Sequence, residues 1–257
     1  MDGVLADMEA ELIRHAETLF GPGVVRQQAA EAAQGKNTAG PAASKQGAGD
    51  GSSESDDTTQ SAAEKSPDNT PALLKLKLND RQQRRLWRHV EGIENFWQSL
   101  PETEPGIVAR LAAIAVERRW EVIFLTKRPQ TAGATSQLQS QRWLDAKGFS
   151  LPSLYVVQGS RGRIAASLGL DIVVDDRPEN CLDIVVDSKA RAILVWRDDE
   201  QSLPAGARRL GIGVLKSVGE CLDALVAIDT PQSASPGVLA RVKRLLGWKE
   251  PANVSGV

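Results

Sequence analysis

Cysteine is scarce in this chain of 257 residues, which has two, Cys181 and Cys221. Two cysteines give neither a disulfide framework nor a cysteine-rich metal site, and they suit a reducing compartment, where they are read as buried packing. No apolar run approaches the roughly 20 residues that span a bilayer, and the acidic N-terminus shows no signal-peptide pattern. Neither charge dominates: 31 Lys+Arg stand against 33 Asp+Glu, for a formal net charge of -2. Such a balance gives no general pull toward a nucleic-acid polymer or an anionic membrane. A P-loop of the form G-x-x-x-x-G-K-[ST] is missing as well, which argues against a nucleoside triphosphatase of that kind. What these absences leave is a soluble, cytoplasmic protein.

Large aliphatic residues are nearly absent between about Gln27 and Pro71. The stretch GKNTAGPAASKQGAGDGSSESDDTTQSAAEKSPDNTP cannot bury enough apolar surface to offset its ordering entropy, so it reads as a disordered insertion. Helices flank it. Met8, Leu12, Ala16 and Leu19 recur at helical spacing up to Gly21-Pro22, and Leu86, Val90, Ile93 and Trp97 form a second stripe with Asp80 as the expected N-cap. His15 and His89 fall on these helices and are read as surface residues.

From Pro105 onward helices alternate with short apolar runs: EVIFLT (121–126), LYVVQ (154–158), DIVVDD (171–176), AILVW (192–196) and GIGVL (211–215). The segment LDIVVDS (182–188) echoes LDIVVDD (170–176), but it follows a helix start at Pro178 and is read as helix. Short β-branched runs bounded by helices predict an α/β fold with a doubly wound parallel sheet covered on both faces. Ser217 and Glu220 form a capping-box signature for a further helix, and Ser235-Pro236 opens a last one.

In such sheets ligands bind beyond the carboxyl ends of the strands. Here those ends carry Thr126, Lys127 and Arg128, then Arg161 and Arg163, then Asp175 and Asp176, while the chain opens on the acidic segment MDGVLAD. Carboxylates alone would repel a phosphate, and cations alone would repel a metal. Both together suit a hard divalent cation bridging carboxylates to a phosphoryl group, with Arg or Lys on the remaining oxygens. Solvated turns and surface charges would account for each residue taken singly.

Four of these pieces in order, DGVLAD (2–7), FLTKRP (124–129), Arg161 ahead of Ile164 and Leu168, and IVVDDRPENC (172–181), resemble the haloacid dehalogenase-type phosphatases, and within them the 5'(3')-deoxyribonucleotidase-like branch. The resemblance implies a Rossmann-like core at 105–229 after a catalytic-loop remnant at 1–7. It also implies a small helical cap at 8–26 and 73–104, broken by the insertion at 27–72, with a helix and tail at 230–257. It implies Asp2 as the acid/base that serves the leaving alcohol and then water, Thr126 as the phosphate-binding hydroxyl, Arg161 as the screening cation, and Asp175 and Asp176 as ligands of magnesium. Lys127 and Arg128 become candidate substrate contacts. Phe96 and Trp97 fall where the branch encloses a nucleobase, so the implied substrate is a small phosphomonoester such as a nucleoside monophosphate.

One departure stands against these matches. The nucleophilic Asp belongs two residues before Asp2, and neither it nor the apolar central strand that should carry it is among the 257 residues. The resemblance therefore implies a natural start upstream of Met1. The alternative from another class is a catalytically inactive module that binds a phosphate ligand or a protein.

Overall fold

A computed structural model describes residues 1–22 and 78–229. The expected insertion at 27–72 and the expected helix and tail at 230–257 lie outside the described residues. The chain divides into two compact units, Met1–Met8 with Ile93–Val257, and Glu9–Gly92. Residues 93–104, grouped with the cap in sequence, fall in the first unit.

The smaller unit contains most of α1 (Met8–Phe20) and α2 (Asp80–Glu91). The cap of α2 is Asn79 rather than Asp80. The Asn79 side chain accepts from the Gln82 amide and the Gln82 side chain accepts from the Asn79 amide, a complete capping box. Leu12, Ala16, Leu86, Trp87 and Val90 are buried. The two histidines are half-buried rather than free on the surface, with His15 Nδ1 3.1 Å from His89 Nε2. Arg85 lies over the Phe20 ring, 5.7 Å from its centroid.

The larger unit is an α/β assembly. In order it contains α3 (Ile107–Arg118), β1 (Ile123–Thr126), α4 (Ser136–Ala146), β2 (Ser153–Val156), α5 (Arg161–Leu168) and β3 (Ile172–Asp175). Then come α6 (Pro178–Asp187), β4 (Arg191–Val195), α7 (Ala205–Arg209), β5 (Gly213–Leu215) and α8 (Val218–Asp229). The segment 182–188 is helical, as its place behind Pro178 requires.

All strand pairs are parallel, in two sheets: β1 with β2, and β3–β4–β5 in that order. In the three-stranded sheet, Ala192 and Leu194 of β4 face a cluster with Ala165, Cys181, Ile184 and Ala207 from α5, α6 and α7. Ile193 faces the other way, onto Leu215, Cys221 and Ala224, so α8 covers the second face. Alternation with a period of two along β4 thus buries both faces. Burial pushes the thiols of Cys181 and Cys221 up, which makes them inert packing.

β1 and β3 are not hydrogen-bonded to each other, and among the described residues each has one edge without a strand partner. Both are less enclosed than β4. The opening segment lies near the carboxyl ends of both strands. The Met1 amino group donates to the Leu125 carbonyl at 3.2 Å, and Gly3 packs against the Asp176 carboxylate.

Candidate functional site

The loop 1–7 is folded on itself and fastened at several points. Leu5 and Ala6 amides return to the Met1 carbonyl, and the Thr103 amide and hydroxyl bond Leu5 and Val4 carbonyls. Arg197, at the end of β4, donates to the Gly3 and Val4 carbonyls and pairs with Glu104. Glu104 in turn accepts from the amides of Val218 and Gly219 at 2.6 and 2.9 Å, which caps α8. The Ser217–Glu220 box is only half formed, because Ser217 caps the Glu220 amide while Glu220 accepts from Lys216. Arg197 and Glu104 carry no motif, and only their long-range partners reveal what they hold.

This fastening sets Asp2 beside the end of β1. Thr126 Oγ1 donates to Asp2 Oδ2 at 2.6 Å. Arg128 Nε and NH2 donate to Asp2 Oδ1 at 2.9 and 2.5 Å. Burial by itself would raise the Asp2 carboxyl, but the Arg128 charge and the hydrogen bonds outweigh it and hold the group below its ordinary range.

At the end of β3, Asp175 Oδ1 accepts from the Arg177 amide and from Asn180 Nδ2, both at 2.9 Å. Among the described residues its other oxygen is uncommitted. Burial and the neighbouring Asp175 push the Asp176 carboxyl up to about 6. The Met1 amino group opposes this rise without cancelling it.

Arg161 opens α5 and is half-buried. Burial draws its guanidinium down from the ordinary value, against the opposing attraction of Asp175 and Asp2. Its NH1 is buried, with no hydrogen-bond partner among the described residues. A buried donor without an acceptor is costly, and a bound anion would satisfy it. Arg163 instead lines an exposed groove of about 440 Å³ with Tyr155, Ile164 and Leu168. Of the two arginines in that loop, Arg161 is therefore the one that faces the carboxylates.

Asp2, Thr126, Arg161, Asp175 and Asp176 thus share one neighbourhood. Lys127 is exposed at its rim. The other three sequence candidates, Arg128, Phe96 and Trp97, are buried. Arg128 is 2% exposed and turned onto Asp2, so it is not a substrate contact in this arrangement. Phe96 and Trp97 are both 0% exposed and present no ring face to a ligand. They form a 3-10 turn whose rings meet edge to face, and Trp97 is held by Gln139 and by the Pro129 carbonyl.

Among the described residues no three of His, Cys, Asp and Glu form a complete metal cage. Magnesium does not need one, since it keeps several waters and takes one or two carboxylates. Asp175, with an oxygen uncommitted among the described residues, and Asp176, its crowded neighbour, suit that mode of binding. Comparison with family models, curated proteins and solved structures finds no match to the chain.

Proposed function

We propose that this chain carries the site of a magnesium-dependent phosphomonoester hydrolase of the haloacid dehalogenase type, on a doubly wound core, acting on a small phosphomonoester such as a nucleoside monophosphate. The observation that carries the reading is the buried, unpartnered guanidinium nitrogen of Arg161 among three carboxylates and a strand-end hydroxyl. A dianionic phosphoryl group supplies the acceptor that Arg161 lacks. Thr126, by rotating its hydroxyl off Asp2, donates to a second phosphoryl oxygen. Asp175 and Asp176 would hold the divalent cation, which neutralises phosphoryl charge when bound.

Asp2 is the group that moves a proton between the ester oxygen or water and the site. Its present pairing keeps it ionised, the form that accepts a proton. Donation to a leaving alcohol requires Asp2 to lose its Thr126 contact. The aspartyl-phosphate route also needs a carboxylate two places ahead of Asp2, and none of the 257 residues fills that position.

A second reading, a phosphate-binding module without turnover, is favoured by the commitment of both Asp2 oxygens to Thr126 and Arg128. Calorimetric titration with inorganic phosphate in the presence and absence of magnesium tests what the two readings share. Phosphate release from a panel of monophosphates then separates them. Magnesium-dependent binding with release supports the hydrolase, binding without release supports the module, and absence of phosphate binding overturns both.

A further inference from the structure

Arg128 is the most deeply buried charged side chain of the site, and its environment is complete without a ligand. Its Nε and NH2 fork engages one oxygen of Asp2. NH1 donates to Ser140 Oγ at 2.8 Å, and Ser140 donates onward to the Ser136 carbonyl at 2.6 Å. The guanidinium plane lies over the Trp97 ring, 5.0 Å from its centroid. Trp97 is pinned by its own indole hydrogen bond to the Pro129 carbonyl at 3.0 Å, and its amide donates to Gln139. Each of its three nitrogens is therefore engaged, two by Asp2 and one by Ser140 of α4, and one face is covered by Trp97. With every nitrogen already bonded and the side chain out of contact with solvent, Arg128 is turned away from any ligand in the site.

The Asp2 end of the pair is different. Asp2 lies in a loop, not a strand or helix, and its carboxylate is partly exposed. Leaving the buried guanidinium unpaired would be expensive, so the pair holds Asp2 in place more firmly than a surface ion pair would. Lysine cannot reproduce the contact, because a single ammonium lacks the planar fork and the stacking face.

We propose that Arg128 is a positioning residue, which orients Asp2 from behind through a two-pronged hydrogen bond and never touches the substrate. The proposal rests on the phosphoryl reading of the site for its purpose, and on the contacts above for its geometry. It reassigns Arg128 from ligand binding to support, leaving Lys127, which is exposed, and Arg161, which lies beside the carboxylates, as the cations for a ligand.

Two readouts on the full chain test it, one of which does not involve phosphate. The first is the Arg128 Nε–H proton resonance, assigned by its loss in Arg128→Lys. It is expected to be slow to exchange in the native chain and to broaden or vanish in Asp2→Ala; an unchanged signal in Asp2→Ala overturns the pairing. The second is calorimetric affinity for inorganic phosphate with magnesium in four proteins: native, Arg128→Lys, Asp2→Asn and the double variant. A residue acting only through Asp2 gives a coupled cycle. Arg128→Lys is expected to weaken phosphate about tenfold in the native background and less than about twofold when Asp2 is already Asn. Equal weakening in both backgrounds overturns the proposal by making Arg128 a direct contact, and no weakening in either makes the pair purely structural and overturns it too. Should Arg128→Lys fail to fold, Ser140→Ala, which removes the NH1 partner and the Ser136 contact behind it, takes its place in the cycle, and its outcomes are read in the same way. If the native chain binds no phosphate, the phosphoryl reading falls, while the Nε–H resonance still decides whether Arg128 orients Asp2.

Discussion

Gly3 adopts φ +72°, and a Cβ added there would fall inside the Asp176 carboxylate. Two costs meet at this residue, the left-handed backbone and the close approach of two site segments. Gly106 provides a control, because it has φ +77° with nothing within 4 Å of its Cβ position. Gly106→Ala is expected to lose only the backbone component, about 1–2 kcal/mol, and to keep whatever stabilisation magnesium gives. Gly3→Ala is expected to lose more and also to abolish the magnesium effect, since Asp176 must move aside. Thermal unfolding of the two variants with and without magnesium measures both. Equal losses, with magnesium stabilisation retained in Gly3→Ala, would show that the Gly3–Asp176 approach has no part in the site.

Whereas α2, α4 and α5 are capped by the residue just before them, α8 takes its cap from a side chain far away in sequence. Its first two amides are capped by Glu104, which also pairs with Arg197, the residue that holds the Gly3 and Val4 carbonyls. Glu104→Ala is expected to cost about 1–2 kcal/mol as a lost cap and to loosen the 1–7 loop, read out as faster amide exchange at Gly3 and Val218 together. Exchange that rises at Val218 alone would disconnect the cap from the loop.

His15 is expected to give the α1–α2 unit a pH dependence. Burial, then the Arg14 charge, lower His15 below its ordinary 6.5, with Glu11 opposing and His89 adding to the effect. A histidine lowered on folding favours the neutral folded form, so its contribution is present above about 6.5 and is lost as pH falls through the folded value. The protection of the amides across 80–91, taken relative to their intrinsic exchange rate at each pH, should therefore fall on acidification, and His15→Gln should flatten that slope.

These elements also show what the sequence discloses. Periodicity locates the five strands, but the stripe ending at Trp97 overruns α2, which stops at Glu91, and α7 is too short to show a period; the helix at 178–187 is readable because Pro178 sits where a helix opens. Asn79 and its neighbour Asp80 are both good caps, so residue type alone does not choose between them, and the Gln82 contact does. Arg128 reads as a surface cation beside Lys127 because its partner Asp2 lies 126 positions away. Phe96 and Trp97 read as ligand contacts through the family resemblance, whereas the chain leaves the helix after Glu91 and buries both rings in a three-residue turn. Glu104 and Arg197 carry no signal, since single charges declare a role only through long-range partners.

For the molecule as a whole, the proposed function ties stability to a ligand through the carboxylates at the end of β3. Asp176 is a crowded acid whose ionisation opposes folding, because burial and Asp175 push it up to about 6. Near pH 7.5, with no divalent cation, Asp176→Asn removes a like charge from the pair and is expected to raise the unfolding temperature. Magnesium should do the same to the native chain by a different route, binding the folded site and not the unfolded chain. At one hundred times its dissociation constant, a ligand of this kind stabilises by about 2.7 kcal/mol. For a chain of this size that corresponds to roughly 5–10 °C in Tm. The two effects should not add: Asp176→Asn gains from the lost repulsion and forfeits most of the magnesium increment. Scanning calorimetry of both proteins, with chelator and with saturating magnesium, gives all four temperatures. An Asp176→Asn variant that is less stable without metal, or that keeps the full magnesium increment, would place the cation elsewhere and remove the metal half of the proposed site.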